Sequence, residues 1–281
     1  MATILDTLKK GTEYLEKYYV EDARLNMEHL IAHVLKVNRM QLYVDFDKAL
    51  TEPALVSLRD LTKRRSKGEP LQHLLGTVEF CELEFQVDGR ALIPRPETEE
   101  LVHLLLQKEW PANARILDLG CGSGVIGLSL AHHLAEKGAH VVLSDVSADA
   151  LALAKENAAS LQISNVEWVE SDLFSAIDSQ FDLIVANLPY IPNSEQTELS
   201  REVQRDPALA LYGGELGTEI MTRFLEAASG HLLNPGQIAL EYGIEQHDTL
   251  KKQAEDHAFE PVTTRKDLNG IERFLFATKA V

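Results

Sequence analysis

The chain has 281 residues, of which 45% are hydrophobic and 25% charged, with a formal net charge of −17. Those values exclude a low-complexity or disordered chain and leave room for one large globular domain or two modest ones. No apolar run is long enough to cross a membrane, no secretory leader opens the chain, and two cysteines make no disulfide framework, so a cytoplasmic protein without a membrane partner is expected.

Residues 1–75 read as helices only. In 22-DARLNMEHLIAHVLKV-37, Leu25, Ile31, Val34 and Leu35 recur at helical spacing. In 51-TEPALVSLRDLTKRRSKG-68, Thr51 predicts an N-cap, Pro53 lies in the first turn and Gly68 stops the helix. The run 63-KRRSK-67 reads as a solvated helix end whose charge compensates the dipole. His29 and His33 stand four apart with no carboxylate or cysteine pattern beside them, and no metal is expected here or elsewhere. This region predicts a small helical bundle serving recognition. It holds 12 Lys and Arg against 11 Asp and Glu, whereas the rest of the chain holds 15 against 33. So acidic a surface repels a phosphate backbone, and stable nucleic-acid binding is not expected.

Residues 76–93 alternate Val78, Phe80, Leu83, Phe85 and Val87 with polar residues, and Asp88-Gly89 marks a turn; this predicts a β-hairpin linker. From 94 to 281 helix and strand alternate. Strands are predicted at 114–120, 140–146, 166–172, 181–187, 237–243, 262–268 and 272–278, with helices at 97–108, to about 137, 147–161, 217–233 and 246–258. That order is an α/β domain with a mainly parallel sheet covered on both faces. Ligands of such sheets sit beyond the carboxyl ends of the strands, where Asp118, Asp145, Asp172 and Asn187 fall. A monomer is expected.

The turn 118-DLGCGSGVIG-127 has glycines at 120, 122, 124 and 127, whose missing Cβ atoms let the backbone press against a ligand. Read from Gly122 it matches the dinucleotide pattern G-x-G-x-x-G, a weak signal alone. Read from Asp118, it points to S-adenosylmethionine (SAM), whose cationic amino-acid end suits glycine backbone beside a carboxylate. Asp145 is placed to bridge two ribose hydroxyls. Asp172 is placed to accept from an adenine amino group, with Leu173 or Phe174 against the ring. Ser147 is expected to cap the next helix, leaving Asp145 spare. Cys121 reads as a small loop residue without thiolate activation.

The strand 181-FDLIVAN-187 runs into Leu188-Pro189-Tyr190, a pattern suited to methylating a planar nitrogen. Such a nitrogen has its lone pair delocalised. The Asn187 side-chain oxygen and a main-chain carbonyl, of Leu188 or of Pro189, can each accept one N–H and aim the lone pair. The Tyr190 ring stacks on the flat group, and proline stiffens the turn. Orientation and electrostatics then carry the catalysis, without a strong base.

Over almost its whole length the chain resembles the HemK/PrmC protein glutamine N5-methyltransferases. The resemblance is carried by 68-GEPLQHLLGTVEF-80, 92-LIPRPETEELV-102, 116-ILDLGCGSG-124, 181-FDLIVANLPYI-191, 206-DPALALYGG-214 and 267-DLNGIERF-274. It implies a Rossmann-like, seven-stranded class I SAM-dependent methyltransferase domain behind an all-α helical bundle. The cofactor would be SAM and the product S-adenosylhomocysteine. The implied substrate is the glutamine of the Gly-Gly-Gln motif in peptide chain release factors 1 and 2. By the same match Asp118, Gly120, Cys121, Gly122, Ser123, Gly124, Asp145, Asp172, Leu173 and Asn187 become cofactor contacts. Asn187, Leu188, Pro189 and Tyr190 hold the glutamine, and Arg95, Glu97 and Thr98 either shape the cofactor pocket or brace the linker. The chain departs from the family's N-P-P-Y at Leu188, from Glu at Asp206, and from G-G-x-D-G-L within 213-GGELGTEIM-221. Rival readings are a glutamine methyltransferase of a ribosomal protein, an adenine-N6 nucleic-acid methyltransferase and a nicotinamide-dependent oxidoreductase.

Overall fold

In the computed structural model, which describes residues 2–280, the chain divides into two compact units. One holds the chain up to Thr77 together with Ser200–Arg205, the other Val78–Leu199 and the chain from Asp206 onward.

The first unit contains helices α1 (Ile4–Lys17), α2 (Ala23–Leu35), α3 (Arg39–Val44), α4 (Glu52–Arg65) and α5 (Leu71–Leu75). Thr3 and Asp6 close a capping box on α1, and Thr51 caps α4 by accepting from the Ala54 amide. Ile4, Leu8, Leu15, Met27, Leu30, Ile31, Leu42 and Leu58 fill the core. Leu25, predicted on the apolar face of α2, is exposed, because Met27, Leu30 and Ile31 set the buried stripe one step around the helix. The basic run also departs from its expectation at one residue. Lys63 and Arg64 stay near solvent, but Arg65 is buried and donates to Asn26 Oδ1 (2.6 Å), to the Glu69 carbonyl and to Glu202. A buried guanidinium needs every partner it can reach, and these hold Ser200–Arg205 within the unit.

A hairpin of β1 (Thr77–Phe80) and β2 (Leu83–Gln86) follows, belonging to the second unit from Val78 onward. Its tight turn is Cys81-Glu82, both at positive φ (48° and 64°), as a two-residue hairpin turn requires. Asp88-Gly89 is instead the bend after β2, where Asp88 accepts from the Arg90 amide. Phe80 and Phe85 meet edge to face at 6.1 Å and bury against Leu101, Leu105 and Leu128. The hairpin thus shares the core of the second unit.

There follow α6 (Pro96–Leu106), β3 (Arg115–Leu119), α7 (Val125–His133), β4 (His140–Asp145), α8 (Ala148–Ser160), β5 (Val166–Glu170) and β6 (Phe181–Asn187). Two short strands, β7 (Ile191–Pro192) and β8 (Tyr212–Gly214), pair with each other. The chain ends with α9 (Glu219–Ala228), β9 (Leu232–Glu241), α10 (His247–Asp256), β10 (Phe259–Lys266) and β11 (Glu272–Lys279). The helix expected over 217–233 is shorter because β9 begins at Leu232 and already pairs with Phe181.

Among the described residues, seven strands form the main sheet in the order β10-β11-β9-β6-β3-β4-β5. The strands from β9 to β5 are parallel, and β11 runs antiparallel between β9 and β10. Side chains alternate between two apolar layers. Ile116, Val141, Leu183 and Val185 face one layer, while Leu117, Val142, Ile184 and Ala186 face the other with Phe224 and Leu225. From β3 the chain winds outward to β4 and β5, and from β6 it winds the other way to β9. The switch between β3 and β6 places the mouth of a crevice beyond their carboxyl ends.

Candidate active site

Beyond these strand ends lies a cavity of about 350 Å³, within the range of a small-molecule site. Its lining includes Gly120, Gly122, Asp145, Asp172, Leu173, Leu188 and Pro189, seven of the site residues singled out in the sequence, whereas Asn187 and Tyr190 lie outside it.

The glycine turn divides its labour. Gly120 sits at φ +75°, in the left-handed region, and a Cβ there would lie 2.9 Å from Leu188 Cδ2. Gly127 is glycine for an internal reason, since a Cβ would lie 2.8 Å from Asp118 Oδ2 and 2.9 Å from Leu143. Gly124, Cys121 and Ser123 lie outside the lining: Cys121 and Ser123 are buried, and Gly124 packs toward Leu128 and Ala154. Only part of the turn therefore faces the cavity.

The acidic residues also separate. Asp118 is fully buried and accepts from the Gly127 amide at 2.7 Å, while its Oδ1 has no hydrogen-bond partner. Burial pushes its carboxyl up to about 7, with the nearby Asp145 adding in the same direction. Asp118 braces the start of α7 beneath the cavity instead of lining it. Asp145 does line it, and burial raises its pKa too. Ser147 caps α8 as expected, but Asp145 is not spare, since its oxygens accept from the Ser147 amide (2.8 Å) and the Gly122 amide (2.9 Å). Each oxygen keeps a further lone pair, so a carboxylate held rigidly by two amides remains able to accept from a diol. Asp172 lies in the turn after β5, exposed and paired with Arg223 at 2.9 Å. Leu173, at φ +49°, lines the cavity beside it, with its carbonyl accepting from the Ser171 hydroxyl. Phe174 turns away and stacks on His231 at 4.6 Å, so Leu173 is the apolar wall here.

Asn187 is the last residue of β6. Its Nδ2 donates to Thr98 Oγ1 at 3.0 Å, and the Thr98 hydroxyl reaches Glu241 Oε2 at 2.7 Å. Leu188 is buried over Gly120 and lines the cavity with Pro189, and the Tyr190 carbonyl accepts from Gln246 Nε2 at 2.9 Å. Burial, with the Glu241 charge nearby, raises the Tyr190 phenol to about 12, which keeps it neutral at ordinary pH. Arg95 pairs with Asp206 (2.6 Å), whose other oxygen accepts from the Ile93 amide. That is a brace across 93–95, and Thr98 serves Asn187 instead of the cavity wall. Glu241 escaped the sequence reading, although its signal was the same as that of Asn187: a polar residue closing an apolar strand, in register beside it.

Among the described residues, one group of metal-ligand type lies elsewhere. Ligand atoms of Cys81, Glu99 and His103 come within 4.8 Å of one another. Burial and the Glu99 charge push the Cys81 thiol up to about 12, so its sulfur stays protonated, and the Cys81 amide donates to Glu99 at 2.7 Å.

The strand order and the crevice at its switch define a class I methyltransferase fold. The likeness extends to a methyltransferase from Pyrococcus furiosus (TM-score 0.54, 19% identity, 71% of this chain and 90% of that one). It extends also to the ribosomal protein L11 methylase from Lactobacillus delbrueckii subsp. bulgaricus (TM-score 0.52, 20% identity, 69% and 83%). Residues 6–76 match the PrmC N-terminal domain family, and residues 97–216 match the methyltransferase small domain family. The chain is 40% identical over 273 residues to the release factor glutamine methyltransferase of Geobacter sulfurreducens, covering 96% of this chain and 95% of that protein. It is 36% identical to that of Leptospira interrogans, covering 99% and 98%. The protein is a SAM-dependent methyltransferase, and it belongs to the release factor glutamine methyltransferase family. The residues present fit that cofactor. Gly120 and Gly122 expose backbone, Asp145 offers rigid acceptors, and Leu173 offers an apolar wall in one cavity.

Proposed function

We propose that the protein methylates the side-chain amide nitrogen of the glutamine in the Gly-Gly-Gln motif of peptide chain release factors. The observation that carries this reading is Asn187, held by its Nδ2 end and followed in the chain by Leu188 and Pro189, which line the SAM-type cavity. With the NH2 end engaged, the side-chain oxygen is the end left to accept an N–H from a planar nitrogen. The names of the relatives support glutamine as the bearer of that nitrogen and release factors as the proteins that carry it.

SAM supplies a methyl group on a sulfonium, an activated electrophile. The chain's own residues do the rest by position. Asp145 and the Gly120–Gly122 backbone would hold the cofactor, with Leu173 offering an apolar wall to its base. Asn187 Oδ1 and the carbonyl of Leu188 or Pro189 each accept one amide hydrogen, which localises the nitrogen lone pair and points it into the cavity. Tyr190 fixes the plane of the amide. The C–N bond would form as the S–C bond of the sulfonium breaks, and the surplus proton on the nitrogen would pass to solvent water. Leu188, where the family has proline, packs over Gly120 and lines the cavity, while its main-chain carbonyl stays available to accept an N–H. The helical unit is assigned to recognition of the release factor, and the acidic catalytic part suits a protein substrate better than a nucleic acid.

The test is incubation with labelled SAM and purified release factor, with intact ribosomes and adenine-containing RNA in parallel. Label is expected on the factor alone. Label on RNA or a ribosomal protein, with the factor unlabelled, contradicts the reading.

A further inference from the structure

Strands β6 and β9 are parallel neighbours, and their last residues, Asn187 and Glu241, stand side by side in register. Thr98, in the first turn of α6, joins them: its hydroxyl is 2.7 Å from Glu241 Oε2 and 3.0 Å from Asn187 Nδ2. Thr98 and Glu241 are both buried, at 3% and 1% exposure, so water cannot substitute for either partner. We propose that Glu241 and Thr98 are positioning residues that decide which end of the Asn187 amide faces the substrate. The inference rests on the reading above, in which Asn187 accepts an N–H from the substrate nitrogen.

Hydrogen-bond direction fixes the orientation of the amide. An ionised carboxylate only accepts, so the single Thr98 proton must point at Glu241. The Thr98 oxygen is then an acceptor toward Asn187, and the amide must turn its NH2 end to it. Oδ1 is thereby left for the substrate. If Glu241 gains a proton the chain can run backwards: Glu241 donates to Thr98, Thr98 donates to Asn187 Oδ1, and the flipped amide offers the substrate two donors it cannot use. The direction of the whole chain therefore depends on the charge of one buried carboxyl.

The groups facing Glu241 set that charge near neutrality. Burial raises its pKa to about 7; the Thr98 hydroxyl, the Asn187 amide and Arg273 on β11 oppose the rise, and Glu97 on α6 adds to it. The Tyr190 phenol stays neutral beside it. A carboxyl with that pKa is ionised above pH 7 and protonated below it. Turnover should therefore rise through the neutral range to a plateau.

The experiment measures kcat against pH for wild type, Thr98→Val, Thr98→Ser, Glu241→Gln and Asn187→Ala, with release factor as substrate. Cofactor affinity by calorimetry and the Asn187 side-chain amide signals by NMR are recorded in parallel. Thr98→Val is expected to lower kcat by about tenfold or more, on the scale of a misaimed donor or acceptor, while SAM affinity holds. Thr98→Ser should restore most of that loss, and Glu241→Gln should abolish the neutral-range limb of the profile. In the cofactor-free wild type, the Asn187 amide signals should titrate with Glu241, and in Thr98→Val they should not. Full kcat in Thr98→Val beside an impaired Asn187→Ala overturns the relay alone. Full kcat in Asn187→Ala removes the reading of Asn187 and the relay with it. An unchanged pH profile in Glu241→Gln also overturns the relay, and a misfolded Thr98→Val leaves the Thr98→Ser and Glu241→Gln profiles to decide.

Discussion

Asn187 and Asp145 end neighbouring parts of the same sheet, yet the chemistry around each assigns it a different loss. In the proposed function Asn187 accepts from the substrate nitrogen, so Asn187→Ala should lower kcat by roughly a hundredfold or more, the scale of one lost transition-state contact. SAM affinity measured by calorimetry should stay near wild type. Unaltered turnover would remove Asn187 from the amide. Asp145 is fixed by the amides of Gly122 and Ser147 and faces the cavity. Asp145→Ala should weaken SAM binding by about tenfold or more, as expected for a lost charge-assisted contact; equal affinity would take it off the ribose. Both residues were legible because each closes an apolar strand. Thr98 and Glu241 were not legible as partners, because 143 residues of sequence separate them and only the pairing of β6 with β9 brings Glu241 to Asn187.

Helices and strands were readable where apolar periodicity was strong, and boundaries were misplaced where a neighbouring element decided them. The start of β9 at Leu232 is set by its pairing with Phe181, which no local pattern announces. The hairpin of β1 and β2 was recognisable from alternation, but its turn was not, since Cys81-Glu82 lacks the usual glycine or asparagine. Phe85 has no exposed surface and packs in the second unit's core. Phe85→Ala should cost about 3 to 5 kcal/mol in denaturant unfolding, the range for deleting a buried ring. A cost near zero would mean the hairpin is not part of that core. The turn between β3 and α7 gives a second test. Asp118 is raised to about 7, so the folded state binds its proton more tightly than the unfolded chain does. Its ionisation therefore costs stability as pH rises from the ordinary aspartate range to about 7, and the cost persists above that. Asp118→Asn keeps an acceptor for the Gly127 amide and removes the charge. Its melting temperature at pH 8 should equal or exceed that of wild type, and a clear drop would show that the buried charge is stabilising.

At the scale of the whole molecule, two units carry two tasks in this account. In the proposed function the glycine turn and the Asn187–Tyr190 corner would perform the transfer, and the helical unit, which includes Ser200–Arg205, would serve recognition. A short peptide containing Gly-Gly-Gln should therefore be methylated with a kcat/KM far below that of the intact release factor. Equal values would leave the helical unit without that role. The helical composition of the first 75 residues and the acidity of the rest could be read from sequence. The inclusion of Ser200–Arg205 in the first unit could not, because it depends on Arg65 being buried at the end of α4 and meeting Glu202.

The most direct measurement is peptide mapping by mass spectrometry of release factor treated with the enzyme and SAM, beside a factor whose Gly-Gly-Gln glutamine is replaced by alanine. The account predicts one added methyl group, on the side-chain nitrogen of that glutamine, and none on the substituted factor. A methyl group at another residue, or equal methylation of the substituted factor, would contradict it.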